Sequence, residues 1–487
     1  MDRWSKESSV TSRHSQASIA EIVDLLTSMR KKGVRLWSKD GQLHCRAPKG
    51  ALAPEEFERL RLSKGQIMGF LRDPESGLGF HQADHLAPLA FSQLAHWHFY
   101  ELNRRRSIRQ VASATRMRGP LNLDALRSSL AEIVRRHEAL RTRIVTRDGT
   151  PMQEIDQTGG CELETEECAA LSESSQEREV TRAIEQLILE PVDVAVDRLL
   201  AVRLVRLRAD EHVLIVAMEH MIGDLFSMDL LLRDMSAAYM QISSGRAVSL
   251  PSIPVQFADY AAWQRSGEIS WVERHGAYWK ERLASCQRLR FPEEKSTRTI
   301  AQPGWGTVPI RIGVKLTMAL RQWCRFRQTT MVLAVFTAYV GAVLRWCSVP
   351  EAVFRYTSDG RVSAEIENTI GYFAGALYLR IELAEDSTFL DLLSRVTEEY
   401  CRACEHTDCS YLMTCVPQPG IARNTLFNWV PHGSFLTDSS SANAPEEPIR
   451  CSPIRFAHPL LRNLLADAEP SIQLADTDGA RVDTSRD

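Results

Sequence analysis

Apolar positions change period twice in the first part of the chain. Ile19, Ile22, Val23, Leu25, Leu26 and Met29 recur at helical spacing. Arg30, Lys31 and Lys32 follow, then Gly33, which suits a helix C-terminus: cations favour the negative end of the dipole and glycine takes the turn. The period drops to two in Val34–Lys39 and Gln42–Ala47, which flank Asp40-Gly41, a two-residue hairpin signal. Pro54-Glu-Glu opens a helix, Leu62–Leu71 forms another, and Asp73-Pro-Glu-Ser-Gly-Leu-Gly ends the unit. The pattern predicts a very small αββαα domain over residues 18–73. A polar, Ser-rich leader (1–17) precedes it and a linker (74–85) follows.

From about Leu86 the pattern alternates between buried-strand runs and long amphipathic helices. Val213–Met218 and Leu377–Leu383 read as strands, and Leu123–Arg136, Met228–Met240 and Met331–Leu344 as helices. This alternation predicts an α/β body. The longest apolar run, Met331–Leu344, stops at Arg345. It falls short of the ~20 residues a spanning helix needs, so it reads as a buried helix and no membrane contact is expected. The N-terminus lacks the apolar core of a signal peptide.

Composition sharpens this outline in two places. With 487 residues, 44% apolar and 25% charged, the chain is long enough for several domains at ~100–200 residues each. The net charge of -3 is not that of a general nucleic-acid binder. The charge is uneven, however. Residues 1–72 carry 14 Lys/Arg against 8 Asp/Glu, a net of +6, while the remainder carries -9. A basic head on an acidic body predicts two units with different partners. Eleven scattered cysteines, an odd number without an export signal, read as reduced thiols in a cytoplasm.

The chemistry concentrates where the Val213–Met218 strand runs into Glu219 and His220, with Asp224 in the short loop before the next helix. A histidine leaving a strand end is placed to face a cleft and to accept a proton near neutral pH. A histidine in that setting is more often a core or surface residue, so the flanking sequence decides its reading.

Glu219-His-Met-Ile-Gly-Asp-Leu225 resembles the His-His-x-x-x-Asp-Gly motif of nonribosomal peptide synthetase condensation domains. Five further segments match that family in order: Phe91–Trp97 (Ser-x-Ala-Gln-x-x-x-Trp), Arg136–Thr142, Gln256–Gln264, Ile370–Arg380 (Ile-Gly-x-Phe-Val-Asn-Thr-x-x-x-Arg) and Arg423–Trp429. Residues 18–73, with Gly33–Leu52 as the most telling stretch, resemble the TubC-type β-hairpin docking domain of the same assembly lines. The resemblance implies two chloramphenicol-acetyltransferase-like lobes in a V, here 86–265 and 266–487, with the active histidine in a tunnel between them. It implies an acyltransferase that joins a carrier-bound acyl thioester to an amine or alcohol, forming an amide or ester in nonribosomal peptide or peptide–polyketide biosynthesis. His220 takes the catalytic position. Asp224 takes the structural one, paired with an arginine, for which Arg361 in Asp359-Gly-Arg is the candidate and Arg141 the weaker alternative. The docking head would bind an upstream carrier protein or its C-terminal tail by strand addition, with Arg35, Arg46 and Lys49 as the charges to test. No cofactor of the chain's own is expected; phosphopantetheine arrives on the partner carrier protein.

The sequence departs from the motif at Glu219, which replaces the first histidine, and at Leu225, which replaces the glycine. A carboxylate beside His220 would hold one tautomer or raise its pKa. The favoured reading is that Glu219 points away, since adjacent strand residues face opposite sides. Leu225 adds bulk that would narrow the tunnel. Ile472–Val482 reads as the family's penultimate hairpin, and the closing helix is missing from the pattern. A metal at Cys401, Cys404, His406, Cys409 and Cys415 is set aside, because Cys401 and Cys404 lie on a helical run with no second Cys-x-x-Cys. Two other classes remain. One is a decayed condensation fold acting as a docking scaffold; the other is a coenzyme A acyltransferase, which would not need a docking head.

Overall fold

The computed structural model describes residues 35–39, 42–46, 59–61, 85–102, 107–266, 268–284, 286, 289, 291, 312–361, 364–384, 386–406, 425–430, 449–454 and 471–475. The chain divides into two compact units, Met1–Phe80 and His81–Asp487, so the break falls inside the expected linker. In the first unit, β1 (Arg35–Lys39) and β2 (Gln42–Arg46) pair antiparallel with Lys39 opposite Gln42. Asp40-Gly41 is therefore the two-residue turn. Residues 59–61 are helical; the other helices expected for this unit lie outside the described residues.

The second unit begins with β3 (Leu86–Pro88), α1 (Phe91–Leu102), β4 (Val111–Arg118), α2 (Leu123–Arg136), β5 (Thr142–Arg147), β6 (Thr150–Ile155) and β7 (Leu163–Glu167). It continues with α3 (Glu173–Leu189), β8 (Leu200–Arg208), β9 (Glu211–Met218), α4 (Leu225–Ser243) and α5 (Phe257–Ser266). Every residue of β9 is buried, as expected of a strand paired on both edges and covered on both faces. Its neighbours are β4 and β8, in the order β13-β4-β9-β8-β7. Val180, Ala183, Ile184, Leu187 and Ile188 of α3 pack on Val205, Val213, Ile215 and Ala217 of this sheet. Elsewhere α2 and α4 pack together, and α4 lies against β4. The Asn122 side chain caps α2 by accepting from Ala125 N–H.

The second half contains α6 (Glu268–Arg282), α7 (Val314–Phe326), α8 (Met331–Cys347), β10 (Glu351–Ser358), β11 (Gly375–Glu382) and α9 (Phe389–Cys404). It ends with β12 (Thr425–Val430), β13 (Arg450–Pro453) and β14 (Ser471–Ala475). Its sheet runs β11-β10-β12-β14. Trp279 of α6 and Phe336 and Val340 of α8 pack with Phe354, Leu379 and Phe427 in one core. Each such side chain contributes about 1.5–3 kcal/mol by leaving water. Among the described residues, no single helix is long and apolar enough to cross a membrane. Phe336, Thr337, Val340 and Leu344 give α8 its buried face.

One boundary expectation needs correction. The 266–487 segment does not stay in one lobe, because β13 pairs antiparallel with β4 of the first lobe. Four residues returning over such a distance carry no local signal. Of the Ile472–Val482 stretch, Ile472–Ala475 lie in β14, parallel to β12; the rest of the expected hairpin lies outside the described residues.

Candidate active site

β9 delivers Met218 and then Glu219, where the ladder ends. Residues His220–Ile222 form a single 3₁₀ turn capped by the Glu219 side chain, which accepts from Met221 N–H. Gly223 follows in extended backbone and Asp224 caps α4, accepting from Ser227 N–H at 2.8 Å. The catalytic candidate thus sits on a turn held at both ends by carboxylates.

Asp224 is 1% exposed and collects six donors. Its Oδ1 accepts from Ser227 N–H, from the Ser227 hydroxyl at 2.9 Å and from Arg361 at 3.2 Å. Its Oδ2 accepts from Arg361 at 3.1 Å and from the N–H groups of Phe373 and Ala374 at 3.1 and 3.0 Å. Arg361, 8% exposed, also reaches the Ser227 hydroxyl and the Asp359 carbonyl, and its guanidinium lies 4.6 Å from the Phe373 ring centroid. A fork-to-fork pair of this kind defines geometry more surely than it adds stability. It ties the α4 N-terminus to the loop before β11. The preceding Gly360 has φ +65°, and a Cβ there would collide with the Phe373 carbonyl oxygen, so only glycine suits the turn. Arg141, the weaker candidate, is engaged elsewhere: it donates to the Asp156 carbonyl at 2.6 Å and lies 3.7 Å from Glu138.

The same inter-lobe loop brings Tyr372 over His220, with ring centroids 4.2 Å apart. His220 is half-buried, and its Nδ1 is enclosed with no hydrogen-bond partner among the described residues. Desolvation first, and His96 second, push the imidazole below its ordinary pKa. The charges of Asp224 and Glu219 pull the other way, as does the ring's own carbonyl, which falls short of a well-formed hydrogen bond. The net direction is opposite to the increase considered for a neighbouring carboxylate. Near neutral pH the ring is therefore a proton acceptor. Burial also pushes the Tyr372 hydroxyl upward, so it stays protonated.

Glu219 is 0% exposed. It faces neither solvent nor the His220 ring. Its carboxylate accepts from the Ser107 hydroxyl at 2.7 Å and from Met221 N–H, and lies 3.2 Å from His96 Nε2. Desolvation raises its pKa, but the His96, Ser107 and Met221 contacts outweigh that and hold it ionised. Leu225 is half-buried as the first residue of α4.

The signature segments hold one another by side-chain to main-chain bonds. Gln93 of α1, fully buried, donates to the Met221 carbonyl at 2.8 Å and so grips the His220 turn. Gln264 accepts from Phe91 N–H, and Gln256 bonds Glu138 N–H and the Arg136 carbonyl. Gln93 and Tyr372 lie inside quoted motifs without being singled out, and His96 falls on a variable position of one. Arg35 and Arg46 are opposite each other in the β1–β2 ladder, while Lys49 lies outside the described residues. Cys401 and Cys404 are on α9, exposed and half-buried, and Cys409 and Cys415 are outside the described set. No group of three metal-ligating side chains occurs among the described residues.

Comparison with known proteins agrees with this arrangement. The condensation domain model matches residues 83–428, and the TubC N-terminal docking domain model matches residues 22–73. A linear gramicidin synthase of Brevibacillus parabrevis is 31% identical over 325 residues, which is 66% of this chain but 6% of that protein. The cyclization-docking bidomain of EpoB from Sorangium cellulosum superposes with a TM-score of 0.59 at 21% identity, over 83% of each chain. An X-domain from teicoplanin biosynthesis, solved in complex with OxyB, gives 0.61 at 24% identity over 78% of this chain and 83% of that one. With the family model spanning most of its length and the His220–Asp224–Arg361 loop at its centre, the chain belongs to the condensation-domain family.

Proposed function

We propose that this protein is a stand-alone condensation acyltransferase, receiving a carrier-bound acyl thioester and passing the acyl group to an amine or alcohol. His220 accepts the proton of the attacking N–H or O–H as the new C–N or C–O bond forms and the carbonyl electrons move to oxygen. Collapse expels the phosphopantetheine thiolate, which recovers the proton. The observation that supports this most directly is the state of His220: half-buried against the Tyr372 ring and held below its ordinary pKa. The test is mass spectrometry of a carrier-bound donor offered to a panel of amines and alcohols. Amide or ester should form, and thioester hydrolysis is scored separately because it requires no acceptor.

Residues 22–73 would recruit the upstream carrier protein or its C-terminal tail. The net charge of +6 over residues 1–72 supports an acidic partner, bound at the hairpin edge. Reversing Arg35, Arg46 and Lys49 together should weaken capture at low salt and have less effect at high salt, since exposed charges are screened beyond ~8 Å at physiological ionic strength. Unchanged affinity in a binding titration would remove the charge-led form of docking.

A second reading is a non-catalytic scaffold of the same fold. Glu219 and Leu225 at motif positions favour it, as does the X-domain relative seen bound to OxyB. On that reading no acceptor yields product, while carrier binding persists.

A further inference from the structure

The first motif position holds Glu219 instead of histidine, yet an imidazole is still present beside His220. It comes from α1: the His96 ring centroid is 5.8 Å from that of His220 and 6.0 Å from that of Tyr372. His96 Nε2 lies 3.2 Å from Glu219 Oε1, and the His96 side chain is 13% exposed while Glu219 is fully buried. The buried carboxylate has two other donors, Ser107 Oγ–H and Met221 N–H. Ser107 is itself fixed by a two-way main-chain bridge to Val192. The anion is thus rigidly placed, and among the described residues the one ionisable donor it meets is His96.

We propose that His96 is a positioning residue of this site: anchored by the Glu219 carboxylate, its ring is held beside those of His220 and Tyr372 and leaves His220 as the proton acceptor. This rests on the acyl-transfer reading of His220 for its role, though not for its physics. After desolvation, His96 is the second cause that holds the His220 ring below its ordinary pKa. Among the described residues, the groups acting on the His220 ring are few. They are His96 from α1, Glu219 and Asp224 from its own loop, and Tyr372 from the loop before β11. Asp224 is also ion-paired with Arg361, 3.1 Å away. Around His96 the Gln110 amide, 3.4 Å from Nε2, and the Phe99 ring complete the setting. Here the imidazole beside His220 is supplied by α1, and the carboxylate at the preceding loop position holds it.

The test uses the full chain and reads histidine protonation by NMR of the ring Cε1–H signals between pH 5 and 8. His220 is assigned from its absence in His220→Gln. In His96→Gln the His220 midpoint should rise by about half a unit to one unit. The acid limb of kcat/KM should move in the same direction, with acceptor KM little changed. In a Glu219→Gln background, His96→Gln should add no further shift, since the pair acts as a unit. An unmoved His220 midpoint in folded His96→Gln would overturn the proposal, and so would additive shifts in the double variant. If Glu219→Gln does not fold, His96→Gln and His96→Asn decide alone. A midpoint that rises as stated in a protein that makes no product would retire the acyl-transfer reading and keep this one.

Discussion

Asp224 and His220 stand four residues apart in one loop, and their surroundings treat them in opposite ways. Asp224 has six donors aimed at two oxygens, from its own helix, from Arg361 and from two main-chain N–H groups across the lobe junction. His220 is packed against Tyr372 and His96 and has a ring nitrogen with no partner among the described residues. A buried polar atom left without a partner costs about 1–3 kcal/mol, so the contrast is not free to maintain. The carboxylate with all its acceptor sites filled fixes a position. The imidazole, held by packing and below its ordinary pKa, stays neutral and keeps the capacity to accept a proton.

This contrast predicts that the two residues fail differently. His220→Ala should lower kcat by ~10²–10⁴ and leave the melting temperature unchanged or slightly raised, because no hydrogen bond is lost. Asp224→Ala should destabilise by ~3–5 kcal/mol, by stranding the Arg361 charge, as read by denaturant unfolding. A His220→Ala protein that melts early, or an Asp224→Ala protein of unchanged stability, would erase the distinction. A gentler probe is Gly360→Ala, which never touches Asp224. It forces a side chain onto a backbone at φ +65° and against the Phe373 carbonyl, whose N–H serves Asp224. The expected cost is about 1–3 kcal/mol, with activity falling through displacement of Tyr372.

The smallest effect is set by pH. His220, His212 and His137 are all held below the ordinary imidazole value of 6.5, in each case first by desolvation. Folded, they bind protons more weakly than unfolded. Their contribution to stability is therefore fully present above about 6.5 and is lost as pH falls from there through the folded values. Thermal melts between pH 7.5 and 5 should show a steady decline. The decline should be shallower in His137→Gln, whose side chain is 1% exposed. A flat profile would show that the empty nitrogens are filled on folding.

Much of this was legible in the chain. Asp40-Gly41 announced the β1–β2 hairpin, the unbroken apolar run Val213–Met218 announced the buried strand, and Asp359-Gly-Arg361 supplied the partner for Asp224 across 137 residues. These are cases in which a local pattern or a motif carries the physics. His96 was not legible, because nothing on α1 marks one helical position as facing a carboxylate 123 residues later. Tyr372 stands at a variable motif position, and only the folded loop brings its ring onto His220. Glu219 illustrates the limit of periodicity: alternation is a rule for the ladder, and the ladder ends at Met218.

The pairing of β13 with β4 bears on how the chain is made. The β4 backbone at Arg118 must wait for Arg450, about 330 residues and roughly 15–70 s of synthesis later at ~5–20 residues per second. Until then the first lobe leaves the ribosome with a bare strand edge, a template for pairing with a neighbouring nascent chain. Arg116 and Arg118 lie on that strand and pair with Glu211. Charged side chains of this kind make an edge a poor aggregation partner. The last strand to join this sheet covers the β4 edge from Thr115 to Arg118 and leaves, among the described residues, a four-residue strand as the new edge, too short to be a good template.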